Sequence, residues 1–189
     1  MSAFEYVSVL ISIVLGLGIT QIITGVAEMI HHWHRVRFYW PHLVWVFLAF
    51  FLHIQEWWLL FNLRATEIWR LPVFLFTLLY PITLFILARI LFPSNWKAEV
   101  DLKVYYFGSY RKFFAVVTWL SLLSLLDNLF VQRLAIIDSV VPLLVLICSG
   151  FIASRKVTNE RVHQLLALLL LALMLTSLAV KWNEWLLMP

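Results

Sequence analysis

The chain has 189 residues, of which 63% are hydrophobic and 13% are charged, and its formal net charge is +4 at pH 7. Ordinary soluble domains are about 45–50% apolar and about 25% charged, so this composition excludes a soluble domain and indicates a lipid environment. The single cysteine, Cys148, excludes an intrachain disulfide and a cysteine-based metal cage. No basic run with interleaved polar residues occurs, so we expect no nucleic-acid partner.

Six apolar runs of roughly bilayer-spanning length follow one another along a single domain, residues 1–189. They cover residues 6–30, 43–63, 71–92, 113–131, 135–153 and 162–187. The runs are continuous and do not alternate with a period of two, which predicts helices. The first run lacks a preceding basic segment and an A-x-A-like cleavage site, so we expect a retained helix. The predicted fold is an all-α integral membrane bundle of six transmembrane helices.

Lysine and arginine are distributed unevenly between the connections, which predicts the orientation of the bundle. The first, third and fifth connections, with their flanking helix ends, carry Arg35, Arg37, Arg89, Lys97, Lys103, Arg111, Lys112, Arg155, Lys156 and Arg161. The opposite side carries Arg64, Arg70, Arg133 and Lys181. Because cytoplasmic connections are enriched in positive charge, both termini are predicted to lie outside.

The third connection is long enough to contain a short helix of its own. Trp96, Val100, Val104 and Phe107 follow helical spacing, and Glu99 and Lys103 form a favourable i,i+4 pair. This pattern predicts an interfacial amphipathic helix between the third and fourth spans. The alternative is a gate or a partner-docking element at the same place.

Small and hydroxylated residues recur at four-residue intervals along the first span. We call this set the small-residue ridge: Ser8, Ser12, Gly16, Thr20 and Thr24. A second stripe on the same helix contains Gly18, Gln21, Gly25 and Glu28. Small residues let helix backbones approach closely, so the ridge predicts packing within or between subunits, with a homo-oligomer as one outcome. The alternative is a pore lining.

The segment LHIQEWW places His53, Gln55 and Glu56 inside the second span. Counting about 1.5 Å of helix rise per residue puts His53 near the bilayer middle and Glu56 in the outer half. The same count puts Asp127 in the outer half and Lys181 at the outer edge. Buried ionisable groups in a bilayer are costly and are normally paired or hydrated.

Two interpretations of this outer polar zone remain open. In the first, His53 and Glu56 share a helix face and titrate in an aqueous vestibule for a cation or a proton, with Gln55, Asp127, Lys181 and Gln21 as further candidates. In the second, Glu56 pairs with Lys181 or Arg64, and the polar groups tie helices together. Asp138, which begins the fifth span, could join either arrangement.

The histidines do not form a diagnostic metal or haem pattern. His31, His32 and His34 lie in HHWHRVR, where no further ligand follows at a diagnostic spacing, so a solvated loop is the favoured interpretation. His53 is the only histidine near the bilayer middle, which argues against bis-histidine haem and leaves a single-histidine haem or a quinone open. We therefore predict no catalytic residue, no metal site and no cofactor.

The opening FEYVSVLISIVLGLGIT and the later YRKFF resemble a group of bacterial polytopic inner-membrane proteins. The resemblance implies a bacterial inner-membrane location, and the group has no established activity to transfer. The function predicted from the residues is an ion or small-solute channel or transporter with a polar site around His53 and Glu56. The alternative is a non-enzymatic structural or sensory membrane subunit that acts through helix packing and partners.

Overall fold

The computed structural model describes residues 2–66, 68–96, 99–131 and 136–180. The helices are α1 (Ala3–His31), α2 (Trp40–Leu59), α3 (Leu71–Ile90), α4 (Leu102–Leu126), α5 (Val140–Ser154) and α6 (Glu160–Val180). Short 3₁₀ turns occupy Trp33–Arg35, Leu60–Ala65 and Ile136–Ser139, and a π-helical turn, Asp127–Val131, continues α4. Two short parallel strands, β1 (Val36–Arg37) and β2 (Val100–Asp101), pair with Val36 opposite Val100. The all-α prediction is confirmed.

Five of the helices are long and apolar enough to cross a membrane. They are α1, α2 with its following 3₁₀ turn, α3, α4 with its π turn, and α6. The remaining helix, α5, has 15 residues and is about 22 Å long at 1.5 Å per residue. That is shorter than a hydrocarbon core of about 30 Å. The predicted fifth span was longer because it began at residue 135, which lies outside the described residues, and included Ile136–Ser139, which form a 3₁₀ turn.

The buried face of α1 explains how the bundle is assembled. Its buried positions follow one another in steps of three or four residues: Val7, Ile11, Leu15, Gly18, Ile22, Gly25 and Met29. This spacing places them on one side of a helix. Along that seam α1 packs against α3 and α2, whereas α4 packs against α3 and α5, and α6 packs mainly against α2.

The first, third and fifth connections meet at one end of the bundle, which we call the basic end. The strands β1 and β2 join the first connection to the third. The Tyr105 hydroxyl donates to the Ile90 carbonyl at 2.7 Å, which ties the start of α4 to the end of α3. Lys103 Nζ lies 2.6 Å from Glu160 Oε2, which ties α4 to the start of α6. The six helices therefore alternate in direction along the chain.

The predicted interfacial helix is not confirmed. Residues 92–96 and 99–101 contain no helix in the structure, and α4 begins at Leu102. Asp101 caps α4, because its Oδ1 accepts hydrogen bonds from the backbone N–H groups of Lys103 and Val104 at 2.9 and 3.1 Å. No proline separates this start from the apolar run, and the one glycine between them, Gly108, is accommodated within the helix. Only the second half of the predicted segment, with Val104 and Phe107, is helical, and it forms the first part of α4. As a result, α4 is longer than the predicted fourth span.

Candidate functional site

A cleft of about 110 Å³ opens between α2, α3 and α4 at the end of the bundle opposite the basic end. We call it the acidic cleft. Leucine and phenylalanine side chains form much of its wall. Its polar lining comes from three helices: Gln55 and Glu56 of α2, Thr77 and Tyr80 of α3, and Ser124, Asp127 and Asn128 at the end of α4.

The π-helical turn explains how α4 presents two consecutive polar residues to the cleft. Asp127 and Asn128 begin this turn, which is wider than an α-helical turn and is often found at functional sites. The Asn128 side chain is buried, and its Nδ2 donates to the Asp138 carbonyl at 3.3 Å. The end of α4 is thereby tied to the turn that precedes α5.

The electrostatic environment of the cleft is acidic. The Glu56 and Asp127 carboxyl groups are close enough to interact electrostatically, and the Tyr80 hydroxyl lies near both. No lysine, arginine or histidine lines the cleft in the part of the chain that the structure describes. Within the described part of the chain, the Glu56 carboxylate makes no hydrogen bond and no ion pair.

Of the two basic residues considered as partners of Glu56, Arg64 does not line the cleft in the part of the chain that the structure describes. Arg64 follows α2, where its Nη1 donates to the Phe61 carbonyl at 3.3 Å and its guanidinium carbon lies 4.2 Å from the Phe61 ring centroid. Lys181 lies outside the described residues. The structure therefore brings together Gln55, Glu56 and Asp127 among the predicted site residues.

His53 lies in a different environment from Glu56, although the two are three residues apart. Its side chain is 0% exposed and packs against Gly18 of α1, where a Cβ atom would overlap the imidazole ring. A carbonyl oxygen can only accept a hydrogen bond. His53 Nδ1, which lies 2.7 Å from the Ala49 carbonyl oxygen, therefore carries the proton and donates it to this bond. Nε2 is buried without a partner among the described residues. Gln21 is half-buried on α1 and does not line the cleft either.

The small-residue ridge lies away from the buried seam of α1. Gly16, Thr20 and Thr24 are exposed, whereas Ser8 and Ser12 are half-buried. A Cβ atom at Gly16 would meet nothing within 4 Å, and the Thr20 hydroxyl donates to the Gly16 carbonyl at 2.8 Å. Close helix packing occurs instead at Gly18 and Gly25 of the second stripe, where His53 and Phe92 approach the α1 backbone.

A buried histidine–tyrosine cluster at the basic end was not predicted from the sequence. Tyr106 of α4 donates from its hydroxyl to His163 Nδ1 of α6 at 2.8 Å, because His163 Nε2–H donates to the Val157 carbonyl at 3.0 Å. The buried His42 ring of α2 lies edge-on to Tyr106, with 6.2 Å between centroids. Burial, and then the negative charge of Glu160, raise the pKa of nearby Tyr39 to about 12. These residues lie far apart in sequence, so no local pattern could have revealed the cluster.

The histidines of HHWHRVR form no metal centre in the described residues. His32 Nδ1 lies 3.1 Å from the Glu28 carbonyl oxygen and 3.3 Å from its carboxylate, and His34 Nε2 accepts from Trp33 Nε1 at 3.0 Å. No group of three histidine, cysteine, aspartate or glutamate side chains is arranged to hold a metal ion there. His31 is the last residue of α1, and the exposed His34 lies in the 3₁₀ turn that follows.

Comparison of the chain with protein-family models, with curated proteins and with solved structures finds no match. The functional assignment therefore depends on the arrangement of the chain's own residues.

Proposed function

We propose that the chain is a bacterial inner-membrane protein with its basic end in the cytoplasm, and that the acidic cleft binds a small cation or a proton during transport or conduction. Five apolar helices of spanning length support the membrane location. The observation that carries the site is that Glu56 of α2 and Asp127 of α4 line one cleft. Both termini then lie outside.

Two neighbouring carboxylates in apolar surroundings explain why a positive ligand fits this cleft. The Glu56 carboxylate makes no hydrogen bond or ion pair within the described part of the chain, and a carboxylate in such a poorly solvated site is stabilised by a proton or a cation. The polar lining also supplies amide and hydroxyl oxygens from Gln55, Tyr80 and Ser124. Oxygen ligands favour hard cations over metals that prefer nitrogen or sulfur.

The direct test substitutes Glu56→Gln in protein reconstituted into liposomes. We expect the variant to lose proton or alkali-cation flux, or the pH dependence of that flux, while its thermal unfolding in detergent stays close to that of the wild type. Glu99→Gln is the matched control, because Glu99 is exposed at the opposite end of the bundle. Wild-type flux in the Glu56→Gln variant would refute a transport role for the cleft.

The alternative function is a structural or sensory subunit that acts through a partner, and the exposed small-residue ridge favours it. Because Gly16, Thr20 and Thr24 are exposed and no helix among the described residues covers Gly16, we propose that α1 pairs with a second copy of the chain. Gly16→Leu should lower the mass of the detergent-solubilised particle measured by light scattering. An unchanged particle mass would exclude pairing through α1. If the variant is monomeric and still conducts ions, the transport proposal is favoured over the structural one.

A further inference from the structure

Five exposed cations lie on neighbouring segments at the basic end. We call this set the basic cluster: Arg111, Lys112, Arg155, Lys156 and Arg161. The first two belong to α4, and the others follow α5 or begin α6. Arg111 Nε donates to the Ala153 carbonyl at 3.0 Å, which holds the end of α5 beside this part of α4. The α5–α6 connection therefore starts next to Arg111.

The positive charge of the basic cluster is not compensated within the described part of the protein. The neighbouring carboxylate, Glu160, already accepts hydrogen bonds from Lys103 Nζ at 2.6 Å and from Gln164 Nε2 at 3.2 Å. Neither ion pair found among the described residues involves a cation of the cluster. The cluster therefore presents a net positive surface to a ligand.

Exposed apolar side chains begin one helical turn from these cations. Phe151, four residues before Arg155, is 60% exposed, and Leu165, four residues after Arg161, is 67% exposed. Four residues correspond to about 6 Å along a helix. The surface thus changes from cationic to apolar over one turn on both α5 and α6.

The two members of the cluster that belong to α4, Arg111 and Lys112, lie at the boundary of the apolar run of this helix. Arg111 lies nine residues after the start of α4 at Leu102, which is about 14 Å of helix. The apolar run of the fourth span begins at Phe113. A bilayer that surrounds this run would place its phosphate groups near Arg111 and Lys112.

We propose that the basic cluster binds the headgroup of an anionic glycerophospholipid, whose acyl chains lie along the exposed apolar faces of α5 and α6. The phosphate meets exposed guanidinium and ammonium groups, and the acyl chains meet side chains such as Phe151 and Leu165. This inference rests on the membrane location stated under the proposed function. It does not depend on the acidic cleft at the opposite end.

The test compares spin-labelled phosphatidylglycerol with spin-labelled phosphatidylcholine at the protein surface in phosphatidylcholine bilayers. The variant carries Arg155→Gln, Lys156→Gln and Arg161→Gln, and leaves Arg111 in place because Arg111 also bonds α5. Each cation near a membrane surface contributes about fivefold to the binding of anionic lipid. We therefore expect the preference for phosphatidylglycerol to fall about fivefold or more in the variant.

The matched control removes three other exposed cations from the same end of the bundle: Arg35, Arg37 and Arg89, each changed to Gln. It has the same net charge as the cluster variant, so the proposal expects it to keep most of the wild-type preference. An equal loss in both variants would overturn a localised lipid site in favour of general surface attraction. An absent preference in inserted wild-type protein would refute this inference alone, whereas failure of the protein to insert would refute the membrane location as well.

Discussion

Replacing Gly18 by alanine tests the contact between α1 and α2 that excludes His53 from the acidic cleft. A Cβ atom at position 18 would overlap the imidazole of His53, which has no exposed surface. The imidazole is also held by the bond from its Nδ1 to the Ala49 carbonyl at 2.7 Å. Gly18→Ala must therefore either separate the helices or rotate the ring and break this bond.

The expected cost follows from three terms. Overpacking a well-packed core typically costs about 1–3 kcal/mol. Losing the buried hydrogen bond of His53 adds about 1 kcal/mol if the ring rotates. Alanine instead of glycine in a helix returns about 1 kcal/mol. We therefore expect Gly18→Ala to lower the free energy of unfolding by about 1–3 kcal/mol if the ring rotates, and by up to about 2 kcal/mol if the helices separate instead.

Reversible denaturant unfolding in detergent micelles measures this difference. Gly108→Ala is the control, because Gly108 is helical like Gly18. Unlike Gly18, it is exposed, and a Cβ atom there meets nothing within 4 Å. It should leave stability unchanged or raise it slightly. A double variant of Gly18→Ala with His53→Ala should be less destabilised than the sum of the single changes, because the overlapping ring is gone. Equal stability of the two alanine variants, or strict additivity in the double variant, would refute the packing argument.

Two further changes test the contacts at the basic end. Tyr106→Phe removes the donor to His163 and should cost about 1–3 kcal/mol in denaturant unfolding, whereas Tyr110→Phe should cost little, because the Tyr110 hydroxyl has no partner among the described residues. Equal costs would contradict the hydrogen bond as the cause. Asp101→Ala removes the cap of α4 and should cost about 1 kcal/mol, while Asp101→Asn should retain most of the stability in the same assay. Equal losses in these two variants would contradict capping.

The existence of each helix was predictable because a local apolar run encodes it. The residues at which the helices begin and end were harder to predict. Apolarity shows where a helix contacts lipid, whereas a helix continues until its backbone groups find another partner. The fourth span was predicted from Phe113, yet α4 begins at Leu102, where Asp101 supplies that partner. The polar and aromatic residues in between are compatible with a helix and carry no signal of bilayer insertion.

The residues of the acidic cleft could be predicted from the sequence only in part, and the physical reason is different. Counting helix rise gives the depth of a residue, and it placed Glu56 and Asp127 in the same half of the bilayer. The structure places both residues in the lining of one cleft. The direction in which a side chain points depends on the neighbouring helices. His53 therefore packs against Gly18, a contact that no local spacing within α2 encodes.

The separation of His53 from Glu56 changes how substitutions in LHIQEWW should be interpreted. A loss of flux in His53→Ala would not identify a titrating group, because that change also removes a ring packed against α1 and leaves a cavity. Glu56→Gln nearly preserves side-chain volume at a position that lines the cleft, so it changes mainly charge. The combination that supports cation binding is therefore a Glu56→Gln variant that is folded and inactive, beside a Gly18→Ala variant that is destabilised and still active under native conditions. The reverse pattern would place the functional contact between α1 and α2.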